Sequence, residues 1–198
     1  MKKYPNLLGD VQLHRPEQVW VSDITYIKTD HGYRFLSLVT DAYSKKIMGY
    51  QLSSNLSVEG PLKALAMAIK ARKFKSDLLH HSDRGLQYCS SEYIKCLSDN
   101  RINISMTQNG DPYENAIAER MNGILKYEFL LVDGFKDEFI AAKTIAQSVN
   151  IYNNERPHLS WNMLTPEQAH NKTGLTLRQW NKKPRGQQAY RGFLNDFN

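Results

Sequence analysis

Three acidic residues stand where a carboxylate is hard to explain as ordinary surface charge. Asp23 sits inside Val19-Trp20-Val21-Ser22-Asp23-Ile24-Thr25-Tyr26-Ile27, among β-branched and aromatic residues. A carboxylate in such a strand is costly to bury unless it is paired or cation-bound; otherwise it must face water. Asp83 follows the apolar run 77–81, within His81-Ser82-Asp83-Arg84-Gly85. Glu119 falls in the first turns of a helix-forming segment, after the breaker-rich loop Thr107-Gln108-Asn109-Gly110-Asp111-Pro112-Tyr113. If the three converge, their charges repel in an empty pocket. Two Mg²⁺ ions and one phosphodiester would bring the sum to zero, and hard oxygen donors suit Mg²⁺ or Mn²⁺. Two such ions about 3.5–4 Å apart clamp the attacking and leaving oxygens of an in-line displacement at phosphorus. Spacing alone decides nothing. The 35 residues between Asp83 and Glu119 also separate Asp23 from Glu59, and 11 Asp with 9 Glu supply such pairs by chance.

The elements that must position these acids are legible as changes of period. Runs 19–27, 33–40 and 46–52 are rich in β-branched and aromatic residues, and Asp30-His31-Gly32 and Ala42-Tyr43-Ser44-Lys45 suit hairpin turns. Ser57 is expected to cap a helix over 58–72, with Leu62, Leu65, Ala66 and Ile69 at helical spacing. A strand at 77–81, a helix at 91–100, a strand at 102–106 and helices at 115–129 and 137–153 follow. This order predicts an α/β fold with a five-stranded mixed sheet, three antiparallel strands then two parallel, flanked by helices. The expected organisation is an N-terminal extension (1–18), a core (19–155) and a basic C-terminal segment (156–198), whose elements the pattern does not assign. On the helix after the loop, Ile117, Met121, Ile124 and Leu125 form one stripe. Asn115, Glu119, Asn122 and Lys126 fall nearly opposite, on either a ligand-facing or a plainly solvated side.

Composition narrows the class. At 198 residues and 22.9 kDa the chain holds one domain, and 41% hydrophobic with 23% charged residues excludes wholesale disorder. No window approaches ~18 apolar residues, and the start lacks the apolar segment of a secretion signal, so a cytoplasmic protein without a membrane partner is expected. Cys89 and Cys96 are too few for a disulfide scaffold or thiolate cage; on one helix their spacing would put both thiols on a buried face. Of the net charge of +6, residues 171–198 carry +5. A nearly neutral body with a basic tail suits a phosphate-bearing partner, or is a solubilising terminus.

Several ordered motifs together resemble a known family. Val21-Ser22-Asp23-Ile24-Thr25-Tyr26-Ile27, Asp41-Ala42-Tyr43-Ser44, His81-Ser82-Asp83-Arg84-Gly85-Leu86-Gln87-Tyr88 and Asn115-Ala116-Ile117-Ala118-Glu119 through Lys126 are similar to the catalytic core of bacterial insertion-sequence transposases. These belong with retroviral integrases in the Asp-Asp-Glu superfamily. Tyr152-Asn153-Asn154-Glu155-Arg156-Pro157-His158 and Leu164-Thr165-Pro166 resemble the segment that follows that core. The resemblance implies a ribonuclease-H-like fold and a Mg²⁺-dependent polynucleotidyl transferase that cleaves and joins DNA strands. Asp23, Asp83 and Glu119 would be its catalytic and metal-holding residues, with two ions per site and Mn²⁺ as substitute. The expected partners are double-stranded DNA, as element ends and target, and further copies of the chain assembled on it. Candidate DNA contacts are Lys126, Arg84, Asn115, Asn122, Lys182, Lys183 and Arg185, with Asn115 alternatively capping its helix or orienting Glu119. Asp41 reads as structural, and His81 as packing beside its strand or supporting the site. Relatives usually carry helical DNA-binding modules ahead of the core, and nothing before Val19 corresponds to one. A non-catalytic DNA-binding or assembly module of the same descent is the competing reading.

Overall fold

The β-branched and aromatic run around Asp23 forms the central strand of the fold. A computed structural model of the chain describes residues 3–9, 11–108 and 115–174. β1 (Val19–Thr29), β2 (Gly32–Asp41) and β3 (Ile47–Ser53) make an antiparallel meander. α1 (Glu59–Ala71) crosses to β4 (Leu79–Ser82), and α2 (Ser91–Asp99) crosses to β5 (Asn103–Met106). Both crossovers deliver parallel strands, giving the order β3-β2-β1-β4-β5. α3 (Ala116–Glu128), α4 (Glu138–Asn154) and the short α5 (Pro166–His170) complete the chain's described elements. The expected five-stranded mixed sheet is borne out, with element ends displaced by one or two residues.

Alternation along the strands divides the core between the two faces. Trp20, Val39 and Met48 pack with Leu65 of α1 and with Tyr93 and Leu97 of α2. Ile27, Leu36 and Leu38 pack on the other side with Met121 and Leu125 of α3 and Ile145 and Tyr152 of α4. Gly49 lets α1 settle directly on β3: a Cβ there would lie 2.0 Å from the Ala64 carbonyl oxygen. Ser57 does not cap α1. The cap position is Val58, whose side chain makes no capping bond, whereas Ser90 caps α2 by accepting from the Tyr93 amide. The two cysteines do not share a helix face either, because α2 begins after Cys89; the Cys89 thiol is buried and faces Met106.

Residues on both sides of the 19–155 span pack onto it. Glu17, Asp41, Ser44 and His170 form a buried polar cluster. Asp41 accepts from Ser44 N and Oγ, both at 2.7 Å, and from Glu17 N at 2.7 Å, so it closes the turn after β2 and also ties down the lead-in. His170 Nδ1 meets Ser44 Oγ at 2.9 Å, and its Nε2 meets Glu17 Oε1 at 3.3 Å. The Lys73 and Phe74 amides each donate to Glu17 at 2.8 Å. Burial alone would raise the Glu17 pKa, but these donors outweigh it and hold the carboxyl below its ordinary value. Burial likewise opposes charge on His170, yet Asp41 and Glu17 raise its pKa. The His170 ring thus bridges two acids from distant parts of the chain.

Two outcomes follow from this packing. Gly49→Ala lowers the urea midpoint by the equivalent of about 1–3 kcal/mol, because backbone rather than a flexible side chain opposes the new methyl. A group with a raised folded pKa stabilises fully below its unfolded value, here 6.5, and loses that effect as pH rises through the folded pKa. The stability gap between wild type and His170→Gln is therefore widest below pH 6.5 and shrinks above it. It also narrows below pH 4.5, as Glu17 takes up a proton at its lowered pKa. Denaturation curves across pH read both limbs.

Candidate active site

The parallel pairing of β1 with β4 ends at Ser22 opposite Ser82. The next residue after each is an aspartate, so Asp23 and Asp83 stand side by side where β4 ends, while β1 runs on with Asp23 still paired to Leu38 of β2. Asp23 Oδ1 accepts from the Ile24 amide at 2.8 Å, and its Oδ2 accepts from Asn122 Nδ2 at 2.7 Å. Asp83 Oδ1 accepts from the Gly85 amide at 2.9 Å, in a turn where a Cβ on residue 85 would crowd that same oxygen. Asn122 lies three residues after Glu119 on α3, so the helix that grips Asp23 also carries Glu119 over the same strand end.

Electrostatics register the cluster. The Asp23 pKa is raised to about 6, first by burial and then by the neighbouring charges of Asp83 and Glu119; the Ile24 and Asn122 hydrogen bonds pull the other way. Beneath the acids, the buried Tyr88 hydroxyl has no hydrogen-bond partner among the described residues and feels both Asp23 and Asp83. Burial first, then Tyr93, and then those two charges push its pKa far above the ordinary value. The convergence expected of the three acids is partial. Glu119 is exposed, and its carboxylate takes no hydrogen bond or ion pair among the described residues. Among those residues no three His, Cys, Asp or Glu side chains are gathered closely enough to hold a metal ion. The donors still fit a hard cation: carboxylate oxygens at the centre, with the buried Asn115 and Asn122 Oδ1 atoms unpartnered beside them.

Residues 13–112 and 100–166 match two models described as integrase core domain. The chain belongs to the integrase core domain family. Among its relatives, the insertion element IS600 uncharacterized 31 kDa protein of Shigella sonnei is 35% identical over 82% of this chain and 60% of its own length. The transposase InsF for insertion sequence IS3A of Escherichia coli K12 is 35% identical over 84% of this chain and 59% of its own. The chain thus spans about three-fifths of the curated relatives it matches. The HTLV-2 integrase catalytic core domain, solved with magnesium, superposes with a TM-score of 0.62 at 19% identity, over 79% of this chain and 97% of that one. A chain in the simian T-cell lymphotropic virus intasome, solved in complex with PP2A regulatory subunit B56 gamma, gives 0.68 at 17%, over 98% and 65% respectively. At such identities the likeness speaks for the fold. The expected ribonuclease-H-like fold and insertion-sequence transposase resemblance are borne out.

Within this integrase core, several expected contacts sit differently from the helical wheel. Asn122 is not on a solvated side of α3: it is buried, and its amide holds Asp23. Asn115 stands at the N-cap position of α3, but its side chain makes no capping bond; it is buried and donates to the Ser22 carbonyl oxygen at 3.3 Å. The wheel failed because α3 packs over β1 just where β4 stops, and there its buried surface wraps beyond one stripe. Arg84 reaches the Gln108 carbonyl oxygen at 3.0 Å, tying the Asp83 turn to the strand end after β5. Lys126 projects into a separate cleft. Lys182, Lys183 and Arg185, and loop residues 109–114, lie outside the described residues. His81 is fully buried and bonds Ser105 Oγ of β5 at 2.8 Å. His80 faces the other way, with its Nε2 bonded by Ser22 Oγ at 2.8 Å and by Tyr93 hydroxyl at 3.0 Å; burial, then His81, lower its pKa to about 3. Sequence reading missed Tyr88 as part of the site, although it lies five residues after Asp83.

An acid whose folded pKa is raised destabilises the fold as pH climbs from its unfolded value of 3.8 through about 6. Asp23→Asn therefore stabilises the metal-free protein at pH 7 by about 1–3 kcal/mol, and has no such effect near pH 3.5. Paired chemical-denaturation curves at the two pH values measure it.

Proposed function

We propose that this chain is the catalytic core of a DNA transposase that cleaves and joins DNA strands at one divalent-metal site. The observation that carries this reading is the half-buried Asp23, its pKa raised by burial and then by two neighbouring acids at the point where the pairing with β4 stops. Structural need alone gives no reason to set three like charges together. When bound, two Mg²⁺ ions, or Mn²⁺ in their place, neutralise the acids and polarise the reacting phosphodiester. Asp23, Asp83 and Glu119 are the residues that would hold them. Asn122 fixes the Asp23 carboxylate so that its remaining lone pairs face the opening. Glu119 supplies the adjustable donor, swinging inward from its exposed position on α3. Water, or later a DNA 3′-hydroxyl, attacks phosphorus directly and expels a 3′-oxygen, so no serine or tyrosine of the chain becomes linked to DNA. Arg84 beside Asp83 and Lys126 farther along α3 take phosphates, as do Lys182, Lys183 and Arg185 of the basic tail. The partners are double-stranded DNA ends and target, engaged by several copies of the chain in the cytoplasm. Among the described residues no helix is long and apolar enough to cross a membrane. The 19–155 core carries the chemistry in this reading, with the 1–18 extension and the 156–198 segment bracing it and reaching DNA.

One observation favours the competing reading of a non-catalytic DNA-binding module: the acids do not stand as a ready three-ligand cage. Activity separates the two. Precut duplex ends with Mn²⁺ support nicking or joining by the wild-type chain, and Asp23→Asn, Asp83→Asn and Glu119→Gln each reduce it by at least about 10²-fold. Product formation that survives all three substitutions removes the triad; duplex binding without any Mn²⁺-dependent product leaves only the binding module. As an independent readout, millimolar Mg²⁺ raises the thermal midpoint of wild type more than that of Asp23→Asn.

A further inference from the structure

Beyond the acids, β1 has an open edge. β4 pairs with it only from Val19 to Ser22, and the next partner on that side is the single bridge between Thr29 and Phe135. By this gap lies a cleft of about 350 Å³ lined by Tyr26, Lys28, Tyr33, Lys126, Leu131 and Val132. Tyr26 is 52% exposed and Tyr33 60%. Their rings are braced edge-on, Tyr26 against Tyr33 at 6.0 Å and against Phe35 at 5.3 Å between centroids. Neither hydroxyl, and neither lysine ammonium, has a hydrogen bond or ion pair among the described residues. Braced aromatic rings left facing water between two unpaired cations match a strand of nucleic acid, which offers base faces for stacking and phosphates for charge.

The placement fixes which strand. Lys126 lies seven residues after Glu119, about 10 Å along α3, and Tyr26 lies three after Asp23, about 10 Å along β1. That separation is about three stacked-nucleotide steps of ~3.4 Å. An odd residue separation puts Tyr26 on the opposite face of β1 from Asp23, so a strand running from the acids to the cleft must turn over the open edge. A regular duplex cannot make that turn, whereas an unpaired strand with splayed bases can. We propose that the cleft binds a short unpaired stretch of the DNA strand continuing from the reacting phosphate, its bases stacked on Tyr26 and Tyr33 and its phosphates on Lys28 and Lys126. The proposal rests on the strand-transferase reading.

Fluorescence anisotropy with the full chain, without divalent metal, tests it. The probes are a blunt duplex and the same duplex carrying a short unpaired 5′ or 3′ extension. One polarity of extension tightens binding by about tenfold or more, as stacking of even one base supplies. Tyr26→Ala with Tyr33→Ala erases that gain, Tyr26→Phe with Tyr33→Phe keeps it, and thermal midpoints confirm that both double variants fold. Lys28→Ala with Lys126→Ala flattens the salt dependence on the extended probe. Equal affinity for blunt and extended probes, or a gain that survives loss of both rings, overturns the cleft while leaving the transferase reading intact. Failure to bind any DNA overturns both.

Discussion

The site depends on one electrostatic constraint: a carboxylate placed where protein alone cannot satisfy it. Asp23 is held from two sides, by the Ile24 amide and by Asn122, yet burial and the charges of Asp83 and Glu119 still raise its pKa to about 6. A fold selected only for stability replaces such a residue, since a neutral side chain of the same shape removes both the desolvation and the repulsion. Retaining it points to a cationic counter-charge during function. The surrounding structure serves that placement. Parallel pairing stops at Ser22 and Ser82, so the two aspartates emerge together, and α3 crosses the opening with the grip of Asn122 and the reach of Glu119 on one side.

A second buried charge cluster, far along the chain, works by the opposite logic. Glu17, Asp41 and His170 are as deeply buried as any core residue, but there the charges are complementary and hydrogen-bonded. The cluster joins the lead-in to β1, the end of β2 and the last described helix. Lys46 and Lys73 add outer ion pairs to Glu167 on that helix; burial alone would raise the Glu167 pKa, but these pairs pull it down to about 2. One acid cluster is closed by protein and stabilises; the other is left open and does not. That contrast sets the acids around Asp23 apart from structural ion pairs that also contain buried carboxylates.

Much of the sheet was legible because alternation and β-branched runs are local signals. The order of strands followed from hairpin-length turns and helical crossovers. Asp23, Asp83 and Glu119 were legible as acids in unusual settings, and their motif context supplied the family. What sequence could not show arises from packing between distant segments. Glu17 and His170 look like surface residues until the chain closes on itself, since no local period marks a polar cluster assembled over 153 positions. Val58 rather than Ser57 stands at the cap position of α1 because the fold, not the best capping residue, sets where the chain enters the helix. Asn115 and Asn122 fall opposite the apolar stripe on an idealised wheel, yet β1, just where β4 stops, offers α3 a second surface of carbonyl and carboxylate oxygens.

The same early end of β4 links the acids to the tyrosine cleft. Had β4 continued beside β1 past Ser22, its backbone would have covered the edge that a DNA strand must cross and filled the space over which Asp23 and Asp83 open. A β4 of only four residues beside a β1 of eleven leaves that edge free. An uncovered edge normally invites pairing with another chain. Here Asn122, Lys126 and the turn at Leu131–Asp133 stand alongside it, with Lys28 on the strand itself, and a positively charged, crowded edge discourages a neutral strand while attracting a phosphate backbone. Shortening one strand thus accomplishes three things together: it sets Asp23 beside Asp83, gives α3 its polar anchor, and leaves the edge of β1 open to nucleic acid.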